Sequence, residues 1–239
     1  MLYWTAVTIG LFIGGIDAYF YVKSVHERHR LGLSTPYSRS IDAKAFSDVS
    51  EHRVYEALKD TFDAMCGPDA YYLSKGPLIL THARGRPVPT CEIDHLIVCS
   101  FGIFVIETKG WNGLVSPGGS ADSVKVEFRD GNVVSRRSPI AQCASKVAFI
   151  KRCQPSNWRV EPLAIFAHPD ARLATTLPSD MICVENIGRY FQAKRKETMS
   201  GECGYVDVQL ALGATLAHRD RRPNACDLHL EAIRRAAVH

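Results

Sequence analysis

The apolar positions of this chain change their period along its length, and each change predicts a different element. Residues 2–22, LYWTAVTIGLFIGGIDAYFYV, are almost continuously apolar. As a helix rising about 1.5 Å per residue they span about 30 Å, the thickness of a bilayer's hydrocarbon core. Tyr3, Trp4, Tyr19 and Tyr21 cluster near the two ends, where interfacial rings sit, and Asp17 lies toward the second end, where a charge costs less. Lys23, Arg28 and Arg30 come next, whereas almost nothing charged precedes. The positive-inside rule then puts the rest of the chain on the cytoplasmic side. A cleaved signal would start basic and end at a small-residue site, so residues 1–23 are expected to form a transmembrane anchor. Residues 24–47, with Gly, Pro, Ser and Thr and little periodicity, read as a linker.

A helical period then takes over. Val54, Leu58 and Phe62 recur on one face, and Ser47, Asp48 or Ser50 supplies a cap, which predicts a helix from about residue 48. After Gly67-Pro68, AYYLSKGPLIL reads as a strand, and THARGRPVPT as a polar loop carrying Arg84 and Arg86. EIDHLIVC and GIFVIETK are two β-branched runs around a tight turn, and VKVEFRDGNVVSRR is a second hairpin about Asp-Gly-Asn. Ser138-Pro139 opens a helix in which Gln142 and Lys146, four apart, share a face. VEPLAIFAHPDARL reads as a buried strand followed by a Pro-Asp loop, and MICVENIGRYF as a short strand leading toward a helix. VDVQLALGATLAHR and CDLHLEAIRRAAVH come last as amphipathic helices, the latter capped by Asp227. The pattern predicts a mixed α/β unit over residues 48–193 and a helical extension over 194–239.

Candidate chemistry concentrates in the first hairpin. If Ser100 and Phe101 form its loop, Cys99 faces Gly102 and, counting outward, Asp94 faces Glu107, with Cβ atoms about 5 Å apart. Alternation puts Glu107 and Lys109 on one face, Thr108 on the other, and turns His95 away from Asp94. Two carboxylates on such apolar strands need compensation. A structural ion pair with Lys109 supplies it in one reading. In the other, Asp94 and Glu107 share a hard divalent cation such as Mg²⁺, and Lys109 orients or deprotonates a water that attacks a phosphodiester.

Composition narrows this only slightly. The 239 residues, 46% hydrophobic, suffice for one substantial core plus an appendage. A net charge of +4 and a pI near 8.6 suit a polyanionic partner without demanding one. The eight cysteines contain no C-x-x-C pair and lie mostly in apolar runs, as reduced buried thiols do. No P-loop, dinucleotide fingerprint or catalytic serine motif occurs.

E-I-D-H-L-I-V, G-I-F-V-I-E-T-K and W-N-G-L-V together resemble the core of the nuclease-related domain (NERD) family, a branch of the PD-(D/E)xK restriction-endonuclease-like superfamily. S-E-H-R-V-Y-E-A-L resembles that family's opening G-E-x-x-V-x-x-x-L, with Ser50 in place of Gly. S-P-I-A-Q-x-x-x-K resembles its N-P-x-x-Q helix, with Ser138 in place of Asn. The resemblance covers roughly residues 50–172. It implies a restriction-endonuclease-like mixed β-sheet flanked by helices. It also implies Asp94 and Glu107 as ligands of Mg²⁺, or alternatively Mn²⁺. Glu51 would be an auxiliary acid, Lys109 a catalytic base or water-orienting cation, and Gln142 its support. With the anchor, the expectation is a single-pass nuclease of the bacterial inner membrane, its domain cytoplasmic, acting on DNA and touching the lipid bilayer through residues 2–22. The competing expectation is a non-catalytic module that binds DNA or a protein there.

Overall fold

A computed structural model describes residues 36–237. The predicted membrane span at 2–22 lies outside the described residues; among those described, no helix is long and apolar enough to cross a membrane. Residues 47–239 pack as one unit. The first described element is helix α1, Pro36–Cys66. It starts well before the predicted residue 48, so 36–47, read as linker, is helical. The physical reason is that Pro36 suits a first helical turn, and neither glycine nor a second proline interrupts residues 37–66. Gly67, at φ +86°, ends it.

The main sheet has five strands in the order β1 (Tyr71–Leu73), β4 (His95–Cys99), β5 (Gly102–Lys109), β9 (Val160–Phe166) and β11 (Met181–Cys183). β1, β4 and β5 are antiparallel neighbours, whereas β9 and β11 continue in parallel with β5. β5 can be this apolar because helices cover both of its faces. On one side Phe104 and Ile106 meet Val54, Leu58 and Phe62 of α1 and Phe191 of α3, Ile187–Met199. On the other, Ile103 and Val105 meet Cys143, Val147 and Ile150 of α2, Pro139–Arg152. Alternation along β5 therefore turns Glu107 toward α2. The predicted border at 193/194 falls inside α3.

Two smaller sheets attach at the ends of this core. β2 (Leu78–Thr81) pairs with β3 (Thr90–Ile93), so AYYLSKGPLIL, which reads in sequence as one strand, is divided between β1 and β2. β6 (Leu114–Pro117), β7 (Ser123–Glu127), β8 (Val133–Arg137) and the short β10 (Arg172–Leu173) form the other. Gly113 joins it to β5 at φ +147°, and a Cβ there would clash with the Glu127 carbonyl oxygen. Gly113→Ala is expected to cost about 1–3 kcal/mol of stability through strain and overpacking; denaturant titration checks it, and a loss under about 0.5 kcal/mol would contradict the packing.

The C-terminal elements are α4 (Val208–Leu216) and α5 (Ala225–Ala236). Asp207 caps α4 by accepting from the Leu210 amide at 2.9 Å. The expected Asp227 cap is displaced: Asn224 occupies the N-cap, and Asp227 sits in the first turn, where a negative charge suits the helix dipole.

Candidate active site

The hairpin has the register that a two-residue loop dictates: Cys99 pairs with Gly102 and His95 with Ile106. Asp94 stands one step beyond the last rung, at the break where the chain leaves β3, paired with β2, for β4, paired with β5. Its carboxylate turns back onto β5, and Oδ2 accepts from the Thr108 amide at 2.8 Å. Among the described residues that is its only hydrogen bond. The break explains how this half-buried acid lies in neither ladder.

Glu107 is the centre of charge. Its Oε1 accepts from Lys109 Nζ at 2.6 Å and its Oε2 from Lys146 Nζ at 2.8 Å. Lys109 also donates to Gln142 Oε1 at 3.1 Å. Gln142 and Lys146 reach the same carboxylate neighbourhood because they lie one turn apart on the face of α2 that covers β5. Burial resists ionisation of Glu107, but Lys146 and Lys109 outweigh it and hold the carboxyl below its ordinary range. Burial alone would lower Lys146, yet Glu107 raises it instead. These groups form a closed set of alternating charge.

Asp94 is left outside that balance. Burial and the neighbouring Glu107 push its carboxyl up to about 7, against the weaker pull of the Thr108 amide and the two lysines. Among the described residues, Asp94 has no ammonium group on its oxygens of the kind that Glu107 has. Its donors are carboxylate oxygens, which suit a hard cation. Among the described residues no three His, Cys, Asp or Glu side chains form a metal cage; Mg²⁺ commonly takes one or two carboxylates and completes its shell with water. Asp94 offers a carboxylate oxygen of the kind Mg²⁺ takes, whereas both oxygens of Glu107 accept from ammonium groups here.

Asp94, Glu107, Lys109 and Lys146 line one cleft of about 520 Å³, and Glu51 of α1 lines it too. All five sequence-predicted residues thus converge, four at one cleft wall and Gln142 through Lys109. His95 turns away, as alternation requires. It is 1% exposed, near Tyr55, and burial lowers its imidazole to about 4, so it stays neutral. Trp111 packs on Phe166 with ring centroids 5.7 Å apart, and Lys109 Nζ lies 5.9 Å from its ring. Burial raises the thiols of Cys91 to about 11 and Cys143 to about 12, which leaves them protonated. Sequence reasoning missed Thr90 and His229, which line the same cleft. Nothing in the linear order joins positions so far apart.

A family model described as nuclease-related domain matches residues 48–167, half of the chain. No curated protein and no solved structure matches the chain.

Proposed function

This chain belongs to the nuclease-related domain family, and from that premise we propose that it is a Mg²⁺-dependent nuclease that hydrolyses DNA phosphodiester bonds. The observation that carries this reading is the juxtaposition of an undercompensated Asp94, a lysine-held Glu107 and the Lys109 ammonium in one cleft. Asp94 and Glu107 would hold the cation, with Glu51 as an auxiliary acid at the cleft. When bound, Mg²⁺ supplies the positive charge that a phosphate group gathering negative charge requires.

The chain's own residues do the rest. Lys109, fixed between Glu107 and Gln142, presents an ammonium in a defined position and orients the attacking water. The water oxygen forms a bond to phosphorus and releases a proton to solvent, the bond from phosphorus to the leaving sugar oxygen breaks, and the departing oxygen takes up a proton from solvent. Lys146 keeps Glu107 ionised throughout by holding its second oxygen. Residues 2–22 would tether this unit to the bacterial inner membrane, with the lysine and arginines just after them on the cytoplasmic side.

One observation favours a second reading, a module that binds nucleic acid without cutting it: both Glu107 oxygens are already occupied by ammonium groups, as in a structural ion cluster. Incubating the full-length protein with single- and double-stranded DNA and RNA, in Mg²⁺, Mn²⁺ or chelator, separates the two. Cleavage of DNA that chelator abolishes supports the nuclease; salt-dependent binding with no products in any metal supports the module.

A further inference from the structure

Helix α5 lies outside the segment that the family model matches, yet one of its residues reaches the cleft of Asp94 and Glu107. The helix packs against β2 and β3. Its His229 is 6% exposed, and Nδ1 lies 2.9 Å from Thr90 Oγ1 on β3. Burial lowers the imidazole's pKa, Glu92 opposes that shift, and Lys146 adds to it. The ring is therefore within electrostatic reach of the ammonium that holds Glu107. A neutral imidazole pinned at one nitrogen offers the other in a fixed direction, and the partner at the first nitrogen selects the tautomer.

We propose that His229 contacts the substrate: its Nε2–H donates to a non-bridging oxygen of a nucleic-acid backbone phosphate lying in the cleft. This rests on the nuclease reading of that cleft. That contact requires the Thr90 hydroxyl to donate to Nδ1, leaving the ring proton on Nε2, and it makes Thr90 a positioning residue that acts through His229. No proton changes hands. The contact supplies one neutral donor beside Lys146, and it comes from a segment that the family's matched region does not include.

The test uses the full-length protein and a fluorescein-labelled DNA oligonucleotide, with binding read by anisotropy in chelator and cleavage read separately in Mg²⁺. A hydrogen bond to a charged phosphate corresponds to about tenfold to hundredfold in affinity, so His229→Ala is expected to weaken binding by at least about tenfold. In Mg²⁺ it should raise KM while leaving kcat within about threefold, the mark of a contact made equally in ground and transition states. His229→Gln, which keeps a donor near the Nε2 position, should recover part of the affinity. Thr90→Val should weaken binding about threefold to tenfold, and Thr90→Ser should restore it. A merely structural role would not track the donor in this way. Folded His229→Ala and Thr90→Val proteins that bind within twofold of wild type would overturn the assignment, and persistent Mg²⁺-dependent cleavage would leave the nuclease reading standing. Weakened binding by the variants, in a protein whose wild type yields no products in Mg²⁺, would uphold the phosphate contact and overturn the nuclease reading instead.

Discussion

Asp94→Asn is expected to abolish Mg²⁺-dependent cleavage and, in chelator, to make the protein more stable. On the nuclease reading the loss of activity should reach at least about a thousandfold, since the substitution removes a ligand charge from the proposed cation site. The gain in stability comes from burial. Without metal, the Asp94 carboxylate is half-buried beside Glu107, and desolvation and that neighbour push its carboxyl up to about 7. A folded-state pKa raised above the unfolded one means that the folded protein holds this proton more tightly. The ionised form therefore destabilises the fold above about pH 7, and the penalty fades as pH falls toward the unfolded carboxyl's range near 4. At pH 8 the Asn variant should be more stable by on the order of 2–4 kcal/mol, and the advantage should vanish near pH 4. Saturating Mg²⁺ should stabilise wild type and leave the variant unmoved. Thermal unfolding of both proteins across this pH range, with and without chelator, reads all three effects. A variant less stable than wild type at pH 8 in chelator would show that Asp94 is already compensated.

Glu107→Ala is expected to do the opposite to the fold. Glu107 is the counter-charge of two ammonium groups whose side chains are only 16% and 13% exposed. Removing one partner of a buried pair leaves an uncompensated charge and costs about 3–5 kcal/mol; here two lysines lose their partner at once. The variant should unfold at markedly lower denaturant and show no cleavage. Two neighbouring acids of one site thus carry stability effects of opposite sign, because one is surrounded by cations and the other is not. Denaturation at pH 7.5 measures the difference, and a cost under about 1 kcal/mol would mean that water reaches both ammoniums.

Much of this site is legible in the order of residues alone. The turn Ser100-Phe101 fixes the hairpin register, and a period of two then places Glu107 and Lys109 on one face and His95 on another. The helical period places Gln142 beside Lys146. What the sequence conceals arises where tertiary packing decides. Asp94 reads as part of a continuous strand, but β3 and β4 belong to different sheets, and the break between them aims its carboxylate at the Thr108 amide. Lys146 reads as a neighbour of Gln142 able to meet phosphate, and only the docking of α2 onto β5 makes it the second partner of Glu107. The start of α1 at Pro36 is hidden because a proline among small polar residues marks a loop as readily as a first helical turn.

On the nuclease reading, Lys109 acts in the chemistry rather than merely pairing with Glu107. Full-length wild type and Lys109→Ala, each shown to be folded, should be compared on end-labelled DNA in Mg²⁺. Lys146 still pairs with Glu107 in the variant, so the fold should survive while product formation falls by at least about a thousandfold. Cleavage by Lys109→Ala at the wild-type rate would contradict that role.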